Sequence, residues 1–269
     1  MLGVDKLARR LLPLATLFGL TLAFPDQAPS RYHLALRNGS TAQLRVRIAE
    51  ARAGKLGDTP EEAAERVLEL VMALSVHDRL TRGHSERVRA YTQMIGEEMG
   101  LTHTELDRLR WAGLLHDVGK LMISGDILNK AGKLTADEYE TIKRHPEFGR
   151  RLVAPLNDWM GEAARAVWEH HERWDGHGYP RGLATTDISL AGRIVSVADA
   201  YDVMTSARSY KKPISPADAR AELTRCSGTQ FDPAVVRAFM NLSLGRLRFA
   251  MGPLTWLAQL PMFPTAVAA

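Results

Sequence analysis

The fold of this chain is decided around the stretch Leu114-Leu115-His116-Asp117-Val118-Gly119-Lys120. Neighbouring residues at a helix end point about 100° apart, so His116 and Asp117 can both reach toward one region. Lys120 lies four residues after His116, so its side chain can border the same pocket. The plain alternative is a polar helix end with Gly119 as its cap.

Further histidines and aspartates could complete a metal site with this pair. They are His84, His145, His170, His171 and Asp199. Imidazole and carboxylate suit iron, manganese or zinc, and a shared carboxylate can bridge two ions. Asp199 lies in an otherwise apolar run, where an isolated buried charge would be costly. Each residue alone has an ordinary structural explanation, but the set predicts a two-metal site, which is typical of phosphate-ester hydrolysis.

The composition predicts a globular and mainly helical protein. The 269 residues are 45% hydrophobic and 25% charged, and Leu and Ala are abundant. A net charge of +4 suits an anionic ligand, but without clustered Lys and Arg it argues against a nucleic-acid polymer as partner. Cys226 is the only cysteine, which excludes an intrachain disulfide and fits a reducing compartment.

Local signals place the helix starts. Thr59, Thr102 and Thr135 are each followed three residues later by Glu, the pattern of a capping box. Ser215-Pro216 and Asp232-Pro233 are further starts. We expect the helix after Thr135 to end near His145, because Pro146 disfavours helix at the residue before it. Trp174 to Asp187 is the longest stretch expected to be non-helical. The pattern predicts a single all-α domain over 59–245, packed as a helical bundle.

The two ends of the chain differ from this domain. Residues 1–58 form an N-terminal apolar segment and linker, and Leu11 to Phe24 is an apolar run of 14 residues, shorter than the roughly 20 that span a bilayer. An interfacial or buried helix, a membrane span and a cleaved signal peptide are the alternatives. Residues 246–269 form an apolar tail. Both ends could associate with a membrane.

The series of motifs resembles the HD-GYP family of metal-dependent phosphodiesterases over about residues 77 to 240. The matching stretches are Gly83-His84-Ser85-Glu86-Arg87-Val88, Leu114 through Lys120, Ile127-Leu128-Asn129-Lys130, His145-Pro146, His170 through Pro180, Arg181-Gly182-Leu183, Arg193-Ile194 through Asp199, Arg208-Ser209-Tyr210-Lys211 and Gln230-Phe231-Asp232-Pro233. A lone His-Asp pair would be weak, whereas this order and spacing are very specific. The resemblance implies an HD-type helical core with a Gly-rich loop at Gly178-Tyr179-Pro180.

The resemblance also implies the function and the roles of residues. It implies hydrolysis of cyclic di-GMP to the linear dinucleotide pGpG, with either pGpG or GMP as the final product, and two divalent metals, iron or manganese. His84, His116, Asp117 and Asp199 would hold one metal; His145, His170 and His171 would hold the second, with Asp117 bridging. Lys120 would contact the scissile phosphate, Arg208 and Lys211 would bind phosphates, and Tyr179 would shape the site. Asp202 is expected either to orient ligands or to have a structural role.

Departures and alternatives accompany this interpretation. Leu80 stands where some members have a Glu that holds a third metal, so we expect two metals; His177 is expected to be a solvated loop histidine. A hydrolase of another cyclic dinucleotide or nucleotide phosphoester, and a non-catalytic cyclic di-GMP receptor, are the competing functions. The predicted partners are a diguanylate cyclase or other signalling protein at the Gly-rich loop and a second copy of the chain. The active domain should face the cytoplasm.

Overall fold

The structure is a computed structural model that describes residues 83–206, 212–245 and 247. Their α-helices are α1 (His84–Glu98), α2 (His103–Leu115), α3 (Gly125–Leu128), α4 (Ala136–Ile142), α5 (His145–Val153), α6 (Asn157–Met160), α7 (Ala166–Glu169), α8 (Leu190–Thr205), α9 (Pro216–Arg225) and α10 (Pro233–Asn241). Short 3₁₀ helices cover Val118–Met122, Ala154–Leu156, Gly161–Arg165 and Thr185–Asp187. Within these residues no β-strand forms, so the predicted all-α class is confirmed.

The predicted helix starts are confirmed wherever the structure describes them. Thr102 and Thr135 each form a complete capping box, with Glu105 and Glu138 respectively, before α2 and α4. Ser215 accepts a hydrogen bond from the backbone N–H of Asp218 at the start of α9, and Asp232 accepts one from Ala234 at the start of α10. Short polar side chains satisfy the free N–H groups of a first turn, which is why these positions could be read locally.

The helix after Thr135 ends near His145 as expected, but the expected reason, that Pro146 disfavours helix at His145, is wrong. The helix after Thr135 already ends at Ile142, and His145 begins the next helix, α5, with Pro146 in its first turn. Proline is tolerated in a first turn because the N–H that it lacks has no partner there. Pro146 therefore marks the start of α5.

The core joins helices that are distant along the chain. α1 packs against α2, α8 and α10. Tyr91 of α1, Tyr201 of α8 and Phe239 of α10 are buried, and their rings meet in series, with centroids 5.2 Å apart for the two tyrosines and 4.7 Å for Tyr201 and Phe239. Burying rings of this size contributes much of the stability of a core. The consequence for function is that α1, which begins with His84, is held beside the C-terminal half of α8, which contains Asp199.

Glycine allows a second close approach, between the 3₁₀ helix Val118–Met122 and α5. A Cβ added to Gly119 would overlap the backbone oxygen of His145 and lie 2.5 Å from the nitrogen of Gly149. Any other residue at 119 would force the two segments apart. Gly119 therefore acts as the contact that sets Asp117 beside the first residue of α5, rather than as a helix cap.

Several expectations concern residues outside the described ones. They are the helix start at Thr59, the departure at Leu80, the apolar run from Leu11 to Phe24, the tail 246–269 apart from Leu247 and the phosphate-binding pair Arg208 and Lys211. The domain boundaries at 58/59 and 245/246 thus stay predictions. Among the described helices, none is both long and apolar enough to cross a membrane.

Candidate metal centre

The predicted ligands converge from separate helices on one buried region. His84 opens α1, His116 follows the last residue of α2 and His145 opens α5. His170 and His171 follow the end of α7, and Asp199 lies within α8. A helix end is a suitable position for a ligand, because its side chain can point into the buried region while the rest of the helix extends away from it. The structure thus brings together all seven residues that the sequence singled out.

The seven residues divide into two halves around Asp117. We call His84, His116 and Asp199 the acidic half, and His145, His170 and His171 the imidazole half. In the acidic half Nε2 of His84 lies 3.2 Å from Nε2 of His116 and 3.3 Å from Oδ1 of Asp199. In the imidazole half one nitrogen from each of the three rings lies within 4.8 Å of the others. Each half can surround one cation.

Asp117 faces both halves with different oxygens. Its Oδ2 lies 3.4 Å from Nε2 of His116 and 3.7 Å from Nε2 of His84. Its Oδ1 lies 3.3 Å from Nε2 of His145 and 3.9 Å from Nε2 of His170. A carboxylate divided in this way can bind one ion through each oxygen.

The ring orientations test whether the halves suit metal ions. Nδ1 of His116 donates to the carbonyl oxygen of Gly113 at 2.8 Å, and Nδ1 of His145 to that of Ile142 at 2.8 Å. Nδ1 of His170 donates likewise to Ala166 at 3.1 Å. Because a carbonyl only accepts, such a contact places the single proton of a neutral ring on Nδ1 and leaves its Nε2 with a lone pair.

These lone pairs meet inside the site. Nε2 of His145 and Nε2 of His170 are 3.2 Å apart, a distance at which two lone pairs repel unless a proton or a cation lies between them. Burial lowers the pKa of His145 to about 3 and that of His171 to about 4, and burial with its imidazole neighbours lowers the pKa of His170 well below its ordinary value. The protons are therefore absent near neutral pH, and the imidazole half fits a metal ion.

The acidic half has the opposite electrostatics. Burial opposes a charge on His84, but hydrogen bonds to Asp199 and Asp202, with the charges of both, raise its pKa to about 9. Burial alone would raise the pKa of Asp199, yet the hydrogen bond and charge of His84 hold it far below the ordinary value. Burial also opposes the charge of Asp117, while Lys120 and the nearby imidazoles hold its pKa well below normal. A cation here would replace a proton.

Asp202 holds His84 in place. Its Oδ2 accepts a hydrogen bond from Nδ1 of His84 at 2.7 Å. Arg87 donates to the same carboxylate through Nε at 2.6 Å and Nη2 at 2.9 Å. A carboxylate behind a ligating imidazole fixes the tautomer and turns the other nitrogen inward. Of the two roles expected for Asp202, the contacts favour the orienting one.

The Gly-rich loop is tied to the imidazole half. The ring of Tyr179 stacks on that of His171, with centroids 4.8 Å apart and planes at 26°. The buried carboxylate of Glu172 accepts from the backbone N–H groups of Arg181 at 2.7 Å and Leu183 at 3.0 Å. A Cβ on Gly178 would overlap the backbone nitrogen of Arg173. The loop thus lies flat against the segment that supplies His170 and His171.

Lys120 reaches the centre from the 3₁₀ helix. Its Nζ donates to Oδ2 of Asp117 at 2.6 Å, and its side chain is 18% exposed. This places a cation at the edge of both halves. By contrast, the side chain of His177 is 83% exposed, as expected for a solvated loop histidine.

Sequence reasoning missed several residues around the centre. Arg87 was not singled out, although it lies three residues after His84 on the same helix face. Glu172 follows the histidine pair directly, and only its two backbone partners reveal its role. Lys143, which directly follows α4, lies close to the rings of both Tyr179 and Tyr139, and no local pattern pointed to it or to Tyr139.

Comparisons with known proteins agree with this geometry. The HD domain family model matches residues 69–235. A cyclic di-GMP phosphodiesterase of Thermotoga maritima is 41% identical, over 68% of this chain and 50% of its own length. A 3′3′-cGAMP-specific phosphodiesterase of Vibrio cholerae is 36% identical, over 68% of this chain and 35% of its own.

A third relative is a cyclic di-GMP phosphodiesterase response regulator of Xanthomonas campestris pv. campestris. It is 35% identical, over 75% of this chain and 54% of its own length. The chain thus spans about half the length, or less, of these relatives. The matched region contains every predicted ligand of both halves. The chain therefore belongs to the HD domain family, in its HD-GYP branch.

Proposed function

We propose that this chain is a metal-dependent phosphodiesterase that hydrolyses cyclic di-GMP to pGpG, with either pGpG or GMP as the final product. The observation that carries the proposal is the placement of Asp117, whose two oxygens face two separate histidine groups. Two cations held by a shared carboxylate form the arrangement that suits displacement at a phosphate ester. In a purely structural cluster the two unprotonated Nε2 atoms of His145 and His170, 3.2 Å apart, would only repel each other, whereas a bound cation uses both lone pairs.

The acidic half and the imidazole half would each hold one divalent metal, bridged by Asp117. Iron or manganese suits this mixture of imidazole and carboxylate ligands. Bound there, the metals would act as Lewis acids on the phosphate and lower the pKa of water toward neutrality.

The protein's own groups would orient the histidine rings and neutralise charge on the substrate phosphate. Asp202 and the backbone carbonyls hold the rings so that Nε2 faces inward. Lys120 lies against Asp117 at the rim of the centre and would neutralise a non-bridging oxygen of the scissile phosphate as charge develops there. We assign the catalytic roles to Asp117 and Lys120.

Substrate contacts are proposed for Lys120, Tyr179, Arg208 and Lys211. Tyr179 is supported by its position, because its ring covers His171 at the edge of the imidazole half. Arg208 and Lys211 lie outside the described residues, and their assignment to phosphate binding rests on the match of Arg208-Ser209-Tyr210-Lys211 to the family motif.

The relatives support cyclic di-GMP as substrate, since two of those compared act on it by name. A second candidate is 3′3′-cGAMP, because a relative of similar identity is specific for that molecule. Both substrates are cyclic dinucleotides with a guanine base, so the same metal centre would serve either. A receptor that binds without turnover remains the non-enzymatic alternative.

Cyclic di-GMP is a cytoplasmic messenger, so the proposal places the active domain on the cytoplasmic side. The Gly-rich loop, where His177 is exposed, is the proposed contact for a diguanylate cyclase or other signalling protein. Association with a membrane through 11–24 and 249–269, and a homodimer, stay predictions.

The test is hydrolysis by the full chain, purified without oxygen and supplied with iron(II) or manganese(II). Cyclic di-GMP and 3′3′-cGAMP are assayed separately, and pGpG and GMP are separated by chromatography. Asp117→Ala should abolish turnover, while Asp126→Ala, an exposed carboxylate of α3, should leave it unchanged. Binding of cyclic di-GMP without turnover, by protein carrying two metals, would replace the enzyme with a receptor.

A further inference from the structure

A continuous series of aromatic rings and one ammonium group extends from the imidazole half to the surface of α4. Tyr179 stacks on His171, and Nζ of Lys143 lies 5.3 Å from the centroid of the Tyr179 ring. The same Nζ lies 5.8 Å from the centroid of the Tyr139 ring. Lys143 thus sits between two aromatic rings, of which one covers a predicted metal ligand and the other is 52% exposed.

At the surface, a carboxylate that accepts hydrogen bonds, Glu140, lies beside the ammonium of Lys143, which donates them. Glu140 accepts from Nζ of Lys143 at 3.0 Å and 3.2 Å through its two oxygens. Tyr139 and Glu140 are neighbours in α4, and Lys143 directly follows that helix, four residues after Tyr139 and three after Glu140, so the Lys143 side chain can reach both. The Glu140 side chain is 65% exposed, against 27% for Lys143. An incoming ligand can therefore reach both charges and the exposed ring.

Guanine complements this set of groups. Its O6 accepts hydrogen bonds, and the adjacent N1–H and N2 amino group donate them, whereas adenine carries a donor at N6 and an acceptor at N1. An ammonium beside a carboxylate matches the order of groups on guanine and opposes that on adenine. An exposed tyrosine ring supplies a stacking platform for any base.

We propose that Tyr139, Glu140 and Lys143 form a guanine-recognition rim, which stacks one base of the substrate on Tyr139 and reads its edge with the Lys143–Glu140 pair. The inference rests on the proposed function, and it adds a base-specific subsite to a centre whose other contacts are with phosphate. The rim lies on the same side as Tyr179, so a nucleotide whose phosphate is at the metal ligands would pass Tyr179 before its base meets α4.

The ordinary explanation is that Lys143 only fastens α4 to the Gly-rich loop through its contacts with the rings. The two explanations differ in their dependence on substrate. If Lys143 has only this structural role, its substitution should change the turnover of every substrate alike. If it recognises guanine, its substitution should change only the turnover of substrates with that base.

The experiment compares Tyr139→Ala, Glu140→Ala and Lys143→Gln with wild-type full chain loaded with manganese. Lys133→Gln, an exposed lysine on the preceding loop, is the matched control for loss of one positive charge. The substrates are cyclic di-GMP, cyclic di-AMP and bis(p-nitrophenyl) phosphate, which has no nucleobase. Values of kcat and KM are measured separately for each substrate.

Tyr139→Ala and Lys143→Gln should each raise the KM for cyclic di-GMP about tenfold, with kcat and the turnover of bis(p-nitrophenyl) phosphate unchanged. Lys143→Gln and Glu140→Ala should also reduce the preference for cyclic di-GMP over cyclic di-AMP, and Lys133→Gln should not. Equal losses on all substrates, or an unchanged KM and preference, would overturn the rim.

Failure of the proposed function gives a different result. If the wild type turns over no cyclic dinucleotide, its binding of cyclic di-GMP is measured by calorimetry with the same variants. Binding that the rim variants weaken would keep the rim and remove the enzymatic function. No binding by the wild type would overturn both.

Discussion

The two halves of the metal centre use the same side chain in opposite ways. His84 in the acidic half hydrogen-bonds to Asp202 and lies against Asp199, so its pKa rises to about 9. His145 and His171 in the imidazole half lie among other imidazoles, and burial lowers their pKa values to about 3 and about 4. Burial disfavours the charged imidazole in both halves, but only the acidic half has carboxylates that overcome it.

This difference indicates how each half would take a metal. The imidazole half presents lone pairs that need no deprotonation near neutral pH. The acidic half must release a proton first, and its carboxylates then compensate more of the metal's charge. Asp117 belongs to both halves, so loss of the metal from one half should weaken metal binding in the other. The two halves should still differ in their affinity and in the protons that they release.

The junction between the halves should give the largest effect. Gly119→Ala places a Cβ against the backbone oxygen of His145, which cannot rotate away as a side chain can. We expect the free energy of unfolding to fall by about 3 kcal/mol or more, at or above the upper end of ordinary overpacking, with loss of bound metal. Urea denaturation and metal analysis measure both. Gly132→Ala is the control, because its added Cβ meets nothing within 4 Å; a Gly119→Ala variant as stable as wild type would contradict the close approach.

Removing one ligand from each half tests whether the halves are separate. His84→Ala and His145→Ala should each reduce the bound metal from two ions to one and lower turnover by about a hundredfold or more. Elemental analysis gives the stoichiometry, and the cyclic di-GMP assay gives the rate. His103→Ala, at the exposed start of α2, serves as the control. Full metal content in either ligand variant would remove that residue from the proposed set.

A smaller effect is expected behind the acidic half. Asp202→Asn keeps an oxygen for Nδ1 of His84 but removes the charge that Arg87 and His84 share. Loss of such a supporting carboxylate typically costs about 10- to 100-fold in metal affinity. The affinity of the acidic half for its metal should fall by this factor, while the affinity of the imidazole half should stay unchanged. Titration with manganese, followed by electron paramagnetic resonance, separates the two sites, and equal weakening of both would break the distinction.

The smallest predicted effect is the number of protons that are released when a metal binds to each half. His84 has a pKa of about 9 against an ordinary value of 6.5, so near neutral pH the metal-free protein keeps a proton that a bound metal must displace. Binding to the acidic half at pH about 7.5 should therefore release about one proton, and binding to the imidazole half none. Calorimetry in buffers of different ionisation enthalpy measures this number. Asp202→Asn, which keeps His84 but removes one of the carboxylates that raise its pKa, should reduce the release, and an unchanged release would place the proton elsewhere.

The same shift predicts the pH dependence of stability without metal. The folded protein holds the His84 proton more tightly than the unfolded chain does. This contribution to stability is fully present below pH 6.5 and is lost as the pH rises through about 9. The lowered pKa values of His145 and His171 act in the other direction, and their penalty on stability grows as the pH falls from 6.5 toward 4.

Much of the helical structure could be predicted from short-range signals. The capping boxes at Thr102 and Thr135 involve residues three apart, so they form in the same way wherever the segment lies. Pro146 misled the prediction, because proline is as acceptable at a helix start as it is unfavourable after a helix end. The start of α5 also packs against Gly119, a contact that is not local in the sequence.

The residue types and their order, by themselves, determined the helical class, most helix starts and the seven candidate ligands. The family resemblance already implied how those ligands divide. Only the tertiary structure decided which oxygen of Asp117 faces which rings, with Oδ2 toward those at α1 and α2 and Oδ1 toward those at α5 and the end of α7. It also decided the opposite pKa values of His84 and His145, since the carboxylate of Asp202 reaches His84 from 118 residues away. Capping depends on neighbours in the chain, whereas the charge of a buried imidazole depends on neighbours in space.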